Sequence, residues 1–386
     1  MNFELSEEQS AFQQAARKFA ENELAPHAAK WDRDGIFPKD AIAHAGQVGF
    51  CGIYCPPELG GAGLGRLDAA IVFEELAAGC TSTAAYLTIH NMATWMIAAF
   101  AKPGVARHWC PDLTAGRKLA SYCLTEPGAG SDAASLATTA VKRGDHYVLN
   151  GAKAFISGGG DTDVLVVMAR TGDKSAGGIS SFVLSGSSPG TSYGRKEEKM
   201  GWNSQPTRAV TFENVAVPAE NLLGGEGDGF KIAMRGLDGG RVNIGACSVG
   251  VAQAALNAAQ RYMHERRQFG RLLASFQALQ FKLADMATEL VAARQMIRLA
   301  AFKLDIKAPN AAAYCAMAKR FATDAGFMVC NEALQIHGGY GYLREFPLER
   351  YVRDSRVHQI LEGTNEIMRV IIARHILNEG GTEDLR

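Results

Sequence analysis

The chain has no charge excess, no paired-cysteine motif, no leader-like character in its first residues and no long unbroken apolar run, and each absence excludes something. Lysine plus arginine and aspartate plus glutamate both number 40, giving a net charge of +0. A chain without a positive field is poorly suited to nucleic acid as its main partner. The eight cysteines (Cys51, Cys55, Cys80, Cys110, Cys123, Cys247, Cys315 and Cys330) are scattered, and none forms a Cys-x-x-Cys pair. In a chain of this length they do not read as the framework of a small secreted domain, and no metal site is expected. Buried free thiols are the expectation. Met1 to Gln9 lacks the basic and apolar regions of a signal peptide and the Arg/Ser-rich character of a transit peptide. No run approaches a membrane span. A soluble intracellular protein is expected: cytoplasmic in a bacterium, or in the mitochondrial matrix if a presequence has been removed. No short-period repeat of the solenoid type occurs.

What is present is 386 residues, enough for two or three domains with ample core. The first third reads as helical. Ser6 and Gln9 have capping-box spacing with Glu7 and Glu8 in the first turn. Phe12, Ala15, Ala16, Phe19 and Ala20 recur on one helical face. Ile71 to Ala78 and Ala93 to Phe100 are further helical candidates, and Tyr54 to Gly65 is a Pro/Gly-rich loop. The middle third changes to short β-rich runs between turn signals: Ala120 to Thr125, His146 to Asn150, Val164 to Ala169, Ser181 to Leu184 and Ala209 to Phe212. That spacing suggests an antiparallel barrel or sandwich of about 100 residues. From about Gly229 long helical periodicity returns, and Ala311 to Leu334 repeats it, as in a bundle. The fold class expected is α+β: a helical part at 1–118, a β part at 119–220 and a helical bundle at 221–386.

Gly128 to Ala133 fits Gly-x-Gly-x-x-Ala, the dinucleotide fingerprint. That motif needs a helix leading to a second parallel strand. Thr138 to Val141 follows too closely and forms a hairpin pattern with Gly144-Asp145. A loop with amides facing a ligand fits better than a Rossmann unit. Near the other end, Glu362 stands among apolar and small residues, after Ile360-Leu361 and before a helix that can start at Thr364. Burial there raises a carboxyl pKa and poises it to take a proton near neutrality.

Three stretches, Cys123 to Ser135, Gln335 to Arg356 and Leu361 to Ile367, together resemble the acyl-CoA dehydrogenases, and the resemblance covers nearly the whole chain. Gly79 to Met92, Gly201 to Val210 and Val352 to Arg369 resemble its short-branched-chain members. The resemblance implies FAD, an acyl-CoA substrate, electron-transferring flavoprotein as acceptor and a homotetramer built as a dimer of dimers. It implies α,β-dehydrogenation of a thioester, with isobutyryl-CoA giving methacrylyl-CoA in valine catabolism. It makes Glu362 the base that removes the α-proton, while the β-hydrogen leaves as hydride to flavin N5. The Glu362 amide and a ribityl hydroxyl then bond the thioester carbonyl.

The same resemblance assigns the remaining site residues. Tyr122, Cys123, Leu124, Thr125, Glu126, Gly130 and Ser131 run beside the flavin ring, with Ser131 also at substrate. Phe155, Ile156 and Ser157 match the segment whose aromatic packs on the flavin; the family often has Trp where Phe155 stands. Arg266, Gln268 and Phe269 match contacts to FAD phosphate and adenosine, for which an arginine fork is suited. Gln335, Ile336, His337, Gly338 and Gly339 match a segment that reaches FAD from a neighbouring subunit. Thr364, Asn365 and Glu366 fit the adenosine end. Leu237, Asp238, Arg241, Gly363 and Arg374 match the substrate and CoA channel. Two alternatives stay open within the fold: another short-chain thioester (2-methylbutyryl- or butyryl-CoA), or an oxidase or monooxygenase using oxygen. A flavin-free helical scaffold is the alternative of a different class.

Overall fold

The computed structural model describes residues 4–385. The chain runs from helices through a sheet and back to helices. The first part holds α1 (Glu7–Phe19), α2 (Ala25–Asp34), α3 (Lys39–Gln47), α4 (Arg66–Gly79), α5 (Thr81–Phe100) and α6 (Pro103–Thr114). The capping box at Ser6 forms: its Oγ accepts from the Gln9 N–H at 3.1 Å, and the Gln9 side chain accepts from the Ser6 N–H at 3.2 Å. Both central helices start earlier than their apolar runs suggest. Within α5, Thr81 and Thr94 satisfy their buried hydroxyls on carbonyls one turn back, those of Ala77 and His90. Apolar on nearly all sides, α5 is a core helix rather than an amphipathic surface one.

The sheet comprises β1 (Ala120–Cys123), β2 (Thr139–Arg143), β3 (His146–Ser157), β4 (Val164–Arg170), β5 (Ile179–Ser185), β6 (Thr191–Tyr193), β7 (Thr207–Pro218) and β8 (Leu222–Leu223). Its order is β6-β7-β3-β2-β4-β5-β8, with β1 on β4. The expected all-antiparallel pattern is corrected at one place: β4 pairs in parallel with β1 and, at Arg170, with β2. The hairpin expected after Gly128 to Ala133 is the β2–β3 pair. Leu222 and Leu223 still belong to the sheet, pairing with β5.

Then come α7 (Gly229–Glu265), a two-stranded ribbon of β9 (Arg267–Gln268) and β10 (Arg271–Leu272), α8 (Gln277–Asp305), α9 (Ala311–His337), α10 (Leu348–Arg356) and α11 (Asn365–Arg374). One apolar core joins the helices of both ends, and a second packs α5, α6 and the start of α7 on the sheet. The expectation of no membrane-length run is corrected at α7, which is long and apolar enough by length and composition, yet 78% of its apolar window is buried inside the protein. All eight cysteines are free and buried.

Candidate active site

The acid loop lies between α10 and α11. Thr364 caps α11, its hydroxyl accepting from the Ile367 N–H at 3.3 Å. Just before it Glu362 and Gly363 are successively left-handed, with φ of 57° and 90°. A non-glycine residue adopts that conformation at a cost of order 1–3 kcal/mol and keeps it only where its surroundings over-determine it. Here two buried cations do so. Arg241 Nε on α7 donates to the Glu362 carbonyl at 3.4 Å. Lys319 Nζ on α9 donates to the Gly363 carbonyl and to Asn365 Oδ1, both at 2.8 Å. Asn365 in turn donates to Asp324 Oδ1 at 2.7 Å and Thr323 Oγ1 at 3.0 Å.

The turn shuts the Glu362 carboxyl against α7. Its Oε2 is buried with no hydrogen-bond partner, and among the described residues its N–H meets no acceptor. Burial pushes the carboxyl pKa up to about 7, against the pull of Arg241 and Lys319. A carboxylate poised at neutrality beside an uncommitted amide can take a proton from a weak carbon acid and steady the oxyanion that results. Burial likewise brings Lys319 down to about 8. The Tyr122 hydroxyl is buried without a partner, its pKa raised by burial and then by Glu362. Asp238, raised by burial, is held by Arg241 Nη1 at 2.6 Å. Leu237 is half-buried on the same stretch.

The wall expected beside the flavin divides into core and display. Cys123, Leu124 and Ile156 are buried in apolar clusters, so only their backbone can serve a ligand. Glu126 is occupied within the chain. Its carboxylate is committed to buried Lys153 at 2.7 Å and to the amides of Ala137 and Thr138, because an unpaired buried charge is far costlier than a paired one. Thr125 and Ser157 are half-buried, and Gly130 and Ser131 are exposed. Phe155 is 70% exposed at φ 58°. The β3–β7 register slips there, the four residues Lys153 to Ile156 of β3 facing the three residues Val210 to Arg208 of β7. Such a bulge re-aims a side chain, and here it turns an aromatic face outward.

A second group gathers elsewhere. Arg266, Gln268, Ile336, His337, Gly338 and Gly339 line one cleft of about 470 Å³ with Tyr262, Leu273, Tyr340 and Leu343. His337 is occupied structurally: its ring stacks on Tyr262 at 4.2 Å and its Nδ1 bonds the Ala333 carbonyl. A Cβ on Gly338 or Gly339 would meet nothing within 4 Å, so both backbones stand open to a ligand. Phe269, φ 54°, is 93% exposed; Gln335 is exposed beside the cleft. Arg241 on α7 and Arg266, which caps its C-terminus, lie 25 residues apart, about 37 Å at 1.5 Å per residue. Lys319 and His337 are separated in the same way along α9. The acid loop and the cleft therefore do not meet within one chain. Glu366 and Arg374 are exposed on α11.

Sequence reasoning missed Lys319. The signal was available: it falls on the buried stripe of α9, with Cys315, Ala318, Ala322 and Gly326, where a lysine is rare unless something pairs it.

Residues 6–117, 121–215 and 227–377 match the models of the N-terminal, middle and C-terminal domains of acyl-CoA dehydrogenases. The chain is 56% identical over 375 residues to the mitochondrial isobutyryl-CoA dehydrogenase of Bos taurus, covering 97% of this chain and 90% of that one. It is 53% identical over 373 residues to its counterpart in Dictyostelium discoideum, covering 96% and 90%. A solved structure described as the electron transferring flavoprotein of Acidaminococcus fermentans, in connection with flavin-based electron bifurcation, matches with a TM-score of 0.95 at 42% identity, over 98% of this chain and 100% of its own.

Proposed function

Because this chain belongs to the acyl-CoA dehydrogenase family, and is thus an FAD-dependent enzyme acting on acyl-CoA thioesters, we propose that its substrate is isobutyryl-CoA, converted to methacrylyl-CoA in valine breakdown. Identity above half to two isobutyryl-CoA dehydrogenases supports the acyl chain. One observation carries the assignment of the base: the buried, unpartnered Oε2 of Glu362, on a carboxyl with a pKa near 7.

The residues present fit a flavin dinucleotide. Phe155 offers an outward aromatic face, Gly130 an open backbone, and the Arg266 cleft a guanidinium beside two bare glycines. Bound there, FAD supplies the acceptor for the hydride that leaves the substrate β-carbon. The chain's own part is proton chemistry. Glu362, ionised, removes the α-proton; its free N–H bonds the thioester oxygen as negative charge develops. Arg241 and Lys319 hold the turn so that both groups point the same way. In this reading Asp238 and Leu237 line the acyl channel, Arg374 stands at its outer end, and Tyr122 and Glu366 belong to the cofactor side.

The separation of the acid loop from the Arg266 cleft supports an assembly in which one dinucleotide touches two chains, and we place a homotetramer and electron-transferring flavoprotein as acceptor within the same proposal. It also includes a three-part division near 1–118, 119–220 and 221–386, with the sheet running on to Leu223. The deciding experiment is anaerobic bleaching of the bound flavin by a panel of CoA thioesters. Isobutyryl-CoA is expected to give the highest rate over affinity. Faster bleaching by butyryl- or 2-methylbutyryl-CoA would reassign the chain length while leaving the reaction in place.

A further inference from the structure

α7 carries glycines at positions where a helix gains nothing from them; each costs about 0.5–1 kcal/mol relative to alanine. For some the reason is packing against another element. A Cβ on Gly250 would meet the Glu74 carbonyl oxygen at 2.0 Å, and one on Gly245 the Ile297 Cδ1 at 2.2 Å. Gly240 differs. The three atoms nearest its would-be Cβ all belong to one carboxyl: Glu362 Oε2 at 2.3 Å, Cδ at 2.8 Å and Oε1 at 3.3 Å. Its own backbone is ordinary right-handed helix, so nothing about φ calls for glycine. Space for the carboxyl is what position 240 supplies.

We propose that Gly240 is a positioning residue for the Glu362 carboxylate: its bare Cα is the floor on which the acid rests, and any side chain there drives the acid off its resting place. The inference rests on the reading of Glu362 as the base and adds a residue to it. Two further observations support it. Oε2, the atom closest to Gly240, is buried and has no hydrogen-bond partner. A glycine is also the one residue at 240 that offers neither a donor to engage that oxygen nor a methyl to move it; a donor would favour the ionised form and depress the pKa the base needs. The turn cannot retreat to make room, because Arg241 and Lys319 pin its two carbonyls. The flexible carboxyl end is therefore what yields, and displacements of about 1 Å at a reacting group cost up to roughly 100-fold in rate.

The test uses the FAD-loaded enzyme and four proteins: parent, Gly240→Ala, Glu362→Asp and the double variant. Gly240→Ala is expected to melt at or above the parent temperature, since alanine favours helix and only a side-chain end must move, and to keep its flavin. Its anaerobic flavin reduction is expected to fall by about tenfold or more. Glu362→Asp shortens the acid by one methylene and makes room for the new methyl. The double variant is therefore expected to lose less than the product of the two single losses. A purely structural role would not produce that coupling. Parental reduction rate in Gly240→Ala, losses that simply multiply, or a melting temperature several degrees below parent would each overturn the proposal. Failure of the base reading itself is seen separately, as near-normal reduction by Glu362→Gln.

Discussion

The acid loop and the Arg266 cleft are built on the same two helices and could hardly differ more. At the loop every backbone carbonyl that matters is gripped, Glu362 by Arg241 and Gly363 by Lys319, and a strained turn shuts a carboxyl away from water. At the cleft two glycines stand open and Phe269 is 93% exposed. The first is pre-organised inside one chain, as chemistry demands of a group whose pKa must be set by burial. The second, in the proposed reading, is half a site that a second chain completes. The difference teaches that reactivity and cofactor retention are separable properties here, and each prediction below acts on one region without the other.

The largest effect is expected at Glu362. Glu362→Gln keeps the shape and removes the base, so flavin reduction by isobutyryl-CoA should fall by about 10³–10⁴-fold while flavin content and thioester affinity are retained. In the parent the reduction rate should rise with pH through about 7, where the carboxyl loses its proton. A pH-independent rate between pH 5.5 and 8.5 would remove Glu362 from the role. Stopped-flow bleaching across that range measures both.

Next is Lys319. Lys319→Met frees the Gly363 carbonyl and deletes a cation near the base, and a loss of about 10–100-fold in reduction rate is expected. The sign of the pH effect follows from charge: Lys319 lowers the Glu362 pKa, so its removal lets that pKa climb, and the rising limb should move to higher pH. Lys319→Arg, which keeps the charge, should restore the limb better than it restores the rate. An unmoved limb in Lys319→Met would show that the lysine acts on the turn alone.

How much of this was legible in the sequence depends on distance along the chain. The caps at Ser6 and Thr364 each involve residues three apart, and local chemistry suffices to place them. The α–β–α order and the acid motif before α11 are legible for the same reason, since periodicity and composition are local. Partners far apart were not. Lys153 reaches Glu126 across 27 positions, and nothing near Glu126 distinguishes an ion-paired core acid from one beside a cofactor. Lys319 reaches Gly363 across 44. The parallel β1–β4 pairing spans a similar interval, with a hairpin in between, and adjacent-strand reasoning defaults to antiparallel. The two-cluster layout could not be read at all, because it depends on how α7 and α9 pack.

At the cleft the expected effect is smaller and of another kind. Arg266→Ala removes the fork beside Gly338 and Gly339, and flavin affinity should weaken by about tenfold, the scale of one charge-assisted hydrogen bond. The rate of reduction per bound flavin, and its dependence on pH, should stay as in the parent. Equilibrium dialysis of FAD alongside bleaching of the reloaded enzyme separates the two. Equal affinity in variant and parent would empty the cleft of its assigned role, and a shifted pH limb would join the two regions that the structure keeps apart.

The smallest effect is thermodynamic and returns to the acid. The Glu362 carboxyl has a folded pKa near 7 against an ordinary 4.5. Between those values the folded chain holds a proton that the unfolded chain has released. Its contribution to stability is therefore fully present below about pH 4.5 and is lost as pH rises through 7. Glutamine does not titrate, so Glu362→Gln should gain on the parent as pH rises, melting a few degrees higher relative to it at pH 8 than at pH 5, for a difference on the order of 1–3 kcal/mol. Arg266→Ala, which alters no buried acid, should show no such divergence. A constant gap between Glu362→Gln and parent across that range would mean the folded carboxyl is solvated after all, and the contrast between a shielded loop and an open cleft would collapse with it.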